Sequence, residues 1–321
     1  MIDPSLIDAL VRLRMDSWGK HMHFRGDEGS RAVVAHLITN ACAGVQGDIQ
    51  TFVVAGQLKA AVFTHALHLP FLDERGVGLF VEADPHTPGA LDWTRQAILR
   101  THHSAAPPTY CTLMTRHLAL LPTLKSIGLG IDSIGLIGES APALSALVTT
   151  ADPPREMQGL TITPLHSEAQ IDAVVALRRA VFTQHPEYCW FGARPRHLQA
   201  LRARMADTLN RAHFWHVMTD AHGTVQGIFG CDLVPNNPFW GPRGGLEIIF
   251  SPEIHGRGFA KTAYRITLEG LVDQGYPIYR GTTGNPAVLA IGQQLGRRLV
   301  EVNLRSGADF PRSHFGRYLA L

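Results

Sequence analysis

The stretch His255-Gly256-Arg257-Gly258-Phe259-Ala260 places two glycines beside a histidine and an arginine, directly after the apolar run Leu246-Glu247-Ile248-Ile249-Phe250 and Ser251-Pro252-Glu253-Ile254. Exposed N–H groups at a helix start, backed by the positive end of the helix dipole, bind anions. They do so best where no Cβ blocks close approach. Gly256 and Gly258 remove that obstacle, and His255 and Arg257 add positive charge. The implied chemistry is the binding of a phosphate or pyrophosphate; the competing reading is a turn that only reverses the chain. Two nucleotide loops are excluded by spacing. No GxxxxGK[ST] occurs, and Lys261 follows where GxGxxG requires its third glycine.

Such a loop must be held between a buried strand and a helix. The apolar run supplies the strand, and Gly258 to Gly275 has helical periodicity. A hairpin precedes them, two β runs within 213–234 that turn at Asp220 to Gly223, and a strand at 277–283 and a helix from Asn285 follow. Upstream lie a strand over 159–165 and helices over 167–184 and 194–211, the first opened by Ser167 and Gln170 as a capping box. The same order occurs earlier: a hairpin around Gly56, a strand at 76–85, a helix at 89–103, then another strand and helix. Gly78 aligns with Gly245 and Gly128 with Gly296, at offsets that differ by one residue. Two copies of one unit are expected, divided in 147–159 where Pro153 and Pro154 disfavour helix. The fold class is α/β (α+β), a mixed sheet with helices on both faces.

Composition sets the broad class. Of 321 residues, 45% are hydrophobic and 17% charged, enough for a sizeable core and unlike a disordered chain. A net charge of +2 argues neither for a nucleic-acid coat nor for an acidic partner, and no nucleic-acid partner is expected. Cys42, Cys111, Cys189 and Cys231 show no CxxC, which suits reduced thiols in the cytoplasm. The first 18 residues read as an amphipathic helix rather than a signal peptide, and no apolar run approaches the ~20 residues of a membrane span. The 17 histidines show no metal-site spacing with Cys or carboxylates, so no metal is expected.

His255 to Ala260 resembles the pyrophosphate loop of the GCN5-related N-acetyltransferases, whose pattern is Gln or Arg, two residues, Gly, one residue, then Gly or Ala. Gly258 and Ala260 fit, and His255 replaces the first residue. Asn285 and the later Leu295-Gly296 resemble the family's Asn-initiated helix ending in Leu-Gly, with Arg297 where an aromatic is usual. The resemblance covers residues 156–310. It implies two tandem domains, 1–150 degenerate and 156–321 active. It further implies acetyl-CoA or another acyl-CoA in a V-shaped gap between strands 246–250 and 277–283. Pantetheine would lie along Ile248, Ile249 and Phe250, and pyrophosphate on residues 255–260, Phe259 included; Asn285 completes the cofactor set. An acyl group would pass to a primary amine by direct attack.

Direct attack needs a base. Glu247, a carboxylate in an apolar strand, is the first candidate; facing solvent, or pairing with an arginine such as Arg243, is the alternative. His213, His216 and Asp232 are weaker candidates. The family's usual acid, a Tyr seven residues after the Asn, is Gly292 here, so Tyr279 or Tyr264 would have to serve, with core packing the competing role for both. The first half offers residues 83–92 at the loop position, with a single glycine, two prolines that remove N–H donors, and Asp84 and Asp92 that would repel phosphate, while Phe80 and His117 stand in for Glu247 and Asn285. This copy is expected to serve as scaffold or substrate wall. His185, Tyr188, Trp190 and Phe191, around Cys189, read as lid or core plug, and Phe239 and Trp240 as lining an acceptor site. Two alternatives stand beside the CoA-dependent enzyme: an acyl carrier protein as donor, met by Arg243, Arg257, Lys261, Arg297 and Arg298, and a non-catalytic acyl-CoA-binding module.

Overall fold

A computed structural model of the chain describes residues 2–19, 24–69, 74–102, 108–150, 159–186, 188–209 and 214–308. His213, Pro153 and Pro154 lie outside the described residues. The chain forms two compact units, one of Met1–Gly135, Pro238–Gly241 and Leu299–Leu321, the other of Leu136–Asn237 and Pro242–Arg298.

In the first unit, Asp3 and Asp27 accept N–H bonds from Ser5 and Ser30 and so start α1 (Pro4–Trp18) and α2 (Glu28–Ala43). The chain then forms β1 (Val45–Val54), β2 (Gln57–Leu69), β3 (Glu74–Ala83), α3 (Ala90–His102) and β4 (Thr109–Met114). One helix was expected after β4. Instead a 3₁₀ turn over Thr115–Leu120 leads to the short α4 (Leu121–Ser126), because Pro122 fits only the first turn of a new helix. Next comes β5 (Leu129–Glu139), which runs into the second unit. Leu10, Val34, Ile38, Phe63 and Phe80 pack the core between α1, α2 and the sheet.

The second unit adds α5 (Ser140–Thr150), β6 (Leu160–Pro164), α6 (Glu168–Gln184), α7 (Pro195–Thr208), β7 (Phe214–Asp220) and β8 (Val225–Asn237). It continues with β9 (Gly241–Phe250), α8 (Phe259–Asp273), β10 (Ile278–Thr283) and α9 (Pro286–Gln294). Strand order in this unit is β5-β10-β9-β8-β7-β6, mixed in direction: β9 and β10 are parallel, β7 antiparallel to β6 and β8. The hairpin turns where expected, with Asp220 Oδ1 accepting the His222 and Thr224 N–H groups. Ile171, Val174, Leu201 and Met205 pack α6 and α7 on one face around Trp215 and Ile249, while α5 and α8 cover the other through Ala143, Leu147, Leu268 and Leu271.

The last strand, β11 (Arg298–Ser306), pairs antiparallel with β4 from Glu301–Met114 to Arg305–Tyr110, so the first unit's order is β1-β2-β3-β4-β11-β5. The compact units thus do not follow the linear boundary expected in 147–159. Residues 136–150 belong to the second unit and 299–308 to the first. Neither β5 nor β11 was expected from the sequence, and these strands move the division. Phe239 and Trp240, expected at an acceptor site, belong to the first unit. There Phe239 packs edge-on against Trp18 at 4.7 Å and Trp240 against Phe24 at 5.9 Å.

Candidate functional site

The parallel register of β9 and β10 runs Arg243–Ile278, Gly244–Tyr279, Gly245–Arg280 and then stops. Beyond it the strands part. Leu246–Phe250 and Gly281–Thr283 both line a cleft of about 710 Å³ that also reaches His255, Gly256, Gly258, Phe259, Ala260 and Asn285. The unpaired side of β9 therefore offers backbone groups to whatever fills the cleft.

At one end, Gly256 and Gly258 adopt φ values of 74° and 87°, and a Cβ at either would meet no atom within 4 Å. Gly258 is the N-cap of α8 and provides no side-chain cap. Among the described residues, the N–H groups of Gly256, Gly258, Phe259 and Ala260 meet no backbone carbonyl. A cradle of donors without backbone acceptors, free of Cβ atoms at Gly256 and Gly258, results at the positive end of a 15-residue helix. His255 faces back towards β9, its Nε2 3.2 Å from the Phe250 carbonyl, and the Arg257 guanidinium lies 5.3 Å from the Phe259 ring. Across the cleft, Asn285 caps α9, its Oδ1 accepting the Ala287 N–H at 2.9 Å.

On the α6/α7 face stands a charged cluster. Glu247 pairs through Oε1 with Arg178 of α6 and through Oε2, at 3.6 Å, with Arg204 of α7. Arg204 also pairs with Asp232 of β8 at 3.2 Å. All four line the cleft. Arg178 is buried, and desolvation brings it down to about 10 although the adjoining Cys189 opposes the shift. Burial, then Arg178 and Arg204, bring His197 down to about 4, so its neutral ring meets the Arg178 guanidinium at 3.2 Å. Glu247 thus pairs with arginine, as the alternative reading held, though the partners are Arg178 and Arg204: two guanidiniums engage both oxygens. Asp232 shares the cluster, whereas His216 stacks on Phe229 and does not line the cleft.

Arg178 and Arg204 were not anticipated. Arg178 had a signal, since it occupies the apolar stripe Ile171, Val174, Arg178, Val181 of α6, where an arginine must find a buried partner.

The tyrosines separate. Tyr264, 1% exposed, lines the cleft, and its oxygen accepts from Arg297 at 3.3 Å. Tyr279, 0% exposed, is core: it is not among the cleft-lining residues, and its ring packs against Gly138. α9 ends in a left-handed turn at Gly296, where the Arg297 N–H reaches the Gly292 carbonyl at 2.9 Å. That turn buries Arg297, at 4% exposure, on the wall of the cleft rather than on the protein surface. Tyr188, Cys189 and Phe191 line the cleft, with the Tyr188 carbonyl accepting from Gly284 at 3.3 Å; His185 and Trp190 do not line it.

In the first unit the parallel register of β3 and β4 ends at Gly78–Tyr110. At the loop position Asp84 accepts from His86 and Thr87 and pairs with Lys59. The Glu247 counterpart, Phe80, stacks on Phe63, and His117 is fully buried against the Ala83 carbonyl.

No protein-family model matches the sequence, and no curated protein matches it. Solved structures do. Over 95% of its length the chain is similar to a GCN5-related glucosamine N-acetyltransferase region of a fungal multi-domain GH3 β-N-acetylglucosaminidase, with TM-score 0.53 and 12% identity, and spans 37% of that protein. Over 93% of its length, and 92% of the other chain, it is similar to a GCN5-related N-acetyltransferase from Sphaerobacter thermophilus, with TM-score 0.50 and 13% identity. At such identities the likeness is one of fold. The chain has the GCN5-related N-acetyltransferase fold, with its α-α-β-β-β-α-β-α-β order present twice.

Proposed function

We propose that the second unit transfers an acyl group, acetyl in the simplest case, from acyl-CoA to a primary amine. One observation carries this reading: the N–H groups of Gly256, Gly258, Phe259 and Ala260, which meet no backbone carbonyl among the described residues, open into the cleft where β9 and β10 part. The residues fit the group, because a pyrophosphate needs convergent donors and space, and both are there. Bound acyl-CoA would supply a thioester whose carbonyl carbon is open to an amine.

The chain's own residues do the rest. The cradle holds the anionic end, and the unpaired side of β9 from Leu246 to Phe250 orients the arm. Tyr188, Cys189 and Phe191 wall the cleft and exclude water. An amine attacks only when neutral, so a group must take its proton. Glu247 is assigned that role, with Asp232 behind it; each must loosen a contact to Arg204 first. The first unit, whose loop position is occupied by the internally bonded Asp84, serves as scaffold. Cys42, Cys111 and Cys231 are buried thiols outside any disulfide among the described residues, which suits the reducing cytoplasm.

The test is thermal unfolding with acetyl-CoA. At about 100 times its Kd a ligand stabilises by ~2.7 kcal/mol, so melting should rise. In Gly258→Asp, whose carboxylate fills the cradle, it should not. An unchanged melting temperature of the natural chain with saturating acetyl-CoA sinks the reading.

A further inference from the structure

Arg297 is 4% exposed, lines the cleft, and among the described residues pairs with no carboxylate. Its Nη2 donates to the Leu136 and Gly281 carbonyls at 3.2 and 3.3 Å, its Nη1 donates to the Tyr264 hydroxyl oxygen at 3.3 Å, and its Nε is buried without an acceptor. The guanidinium also lies 5.3 Å from the Tyr279 ring. A buried charge left without a counter-ion is expensive, and neutral carbonyls and a ring face offset only part of that cost.

Its position matters as much as its charge. A Cβ built on Gly281 would stand 3.0 Å from Nη2 of Arg297 and 3.2 Å from the Leu246 carbonyl. Gly281 and Leu246 are the first residues past the last β9–β10 pair. The cation therefore sits where the two strands begin to part. Tyr264 adds a second donor: its oxygen already accepts from Arg297, so its own O–H proton is available to the cleft. Burial raises that phenol, which stays protonated at neutral pH.

We propose that Arg297, with the Tyr264 hydroxyl, receives the sulfur anion released from the acyl donor. This rests on the acyl-CoA reading above. In the step, the amine nitrogen's lone pair forms the C–N bond, the C–S bond breaks, and its electron pair leaves on sulfur. The nitrogen's proton goes to the carboxylate base, and the sulfur is held as a thiolate against the guanidinium or takes the Tyr264 proton, which solvent replaces. Gly292 leaves α9 without a side chain for this task, and the buried cation supplies it from the end of the same helix.

Ultraviolet thiolate absorbance of bound CoA, followed against pH, tests this without turnover, with desulfo-CoA as a control for binding. A cation within contact distance lowers an acid's titration by about 1–3 pH units. Bound CoA should titrate that far below free CoA in the natural chain and return to the free value in Arg297→Met, while desulfo-CoA binds both equally. The same titration in both proteins overturns the proposal. A preference for succinyl-CoA over acetyl-CoA that Arg297→Met abolishes, with the thiol titration unmoved, also overturns it and assigns the cation to an acyl carboxylate. Failure of the natural chain to bind CoA and desulfo-CoA alike overturns instead the acyl-CoA reading on which the proposal rests. If Arg297→Met does not fold, Arg297→Lys should keep the lowered titration and Tyr264→Phe should raise it part of the way; no change in Tyr264→Phe removes the hydroxyl from the proposal.

Discussion

Arg178 and Glu247 face each other across the α6–β9 contact, the guanidinium 8% and the carboxylate 23% exposed, and the pair stands on the wall of the cleft. The arginine needs the carboxylate, since desolvation already depresses its charged form. One residue is thus asked both to neutralise a buried cation and to take a proton from an amine.

Glu247→Gln separates these demands. Breaking a fully buried pair costs about 3–5 kcal/mol. Here the carboxylate is part-exposed and Gln can still accept from Arg178, so about 1–3 kcal/mol is expected. If Glu247 is the base, kcat should fall by about 10²–10⁴ while the Kd for acetyl-CoA stays within two- to three-fold. Isothermal titration and steady-state kinetics read the two. A full kcat in Glu247→Gln together with its loss in Asp232→Asn would transfer the role to Asp232. An inert natural chain, tried with a broad amine panel yet able to bind acetyl-CoA, would favour the binding module.

Gly256→Ala isolates the cradle. There is room for the methyl group, but φ of 74° is left-handed backbone, which costs an L-residue about 1–2 kcal/mol. The variant should melt a few degrees lower and bind acetyl-CoA more weakly, without any change in charge. Unchanged affinity would mean that the loop's backbone does not hold the anion.

How far the sequence reached follows from what each residue makes audible. Gly78 and Gly245, matched only by position in the two halves, each close the last register pair of a parallel strand pair, with Tyr110 and Arg280 respectively. Short strands flanked by glycine and proline, and helices with clean stripes, were legible for the same reason. β5 was not: Gly130, Gly135 and Gly138 depress strand propensity, and a strand whose partners lie far along the chain leaves no local turn signal. The cradle could be read because backbone chemistry is written in glycines. The charged cluster could not, since Arg178, Arg204, Asp232 and Glu247 come from four elements and only folding brings them together.

Acid should destabilise the fold before its carboxylates titrate. Burial lowers His65, His117, His197 and His216, the third to about 4. The unfolded chain takes protons on these rings near pH ~6.5, where the folded chain does not. Stability is then fully present above about pH 6.5 and drains as the pH falls towards 4. Melting temperatures between about pH 7.5 and about pH 4.5 read this. His197→Gln, which keeps an acceptor for Arg178, should flatten the slope; an equal slope in the variant would clear His197 of a part in it.

The division of the chain gives a sharper test than any single contact. Residues 136–150 lie within the expected first domain, 1–150, yet build the second unit: Ser140 donates to the Pro277 carbonyl at 2.8 Å, and Ala143 and Leu147 pack with Tyr264, Leu268 and Tyr279. Gly138 is fitted to the Tyr279 ring, where a Cβ would stand 2.8 Å from it. Leu147→Ala should cost about 2–5 kcal/mol as a buried deletion, and Gly138→Ala about 1–3 kcal/mol by overpacking, both measurable by urea unfolding. A fragment of residues 156–321 lacks that layer altogether, exposing the back of α8 on which the cradle is mounted. It should show no cooperative transition and no protection by acetyl-CoA. If it melts as sharply as the full chain and is protected to the same degree, then α5 is an accessory of the second unit rather than part of its core.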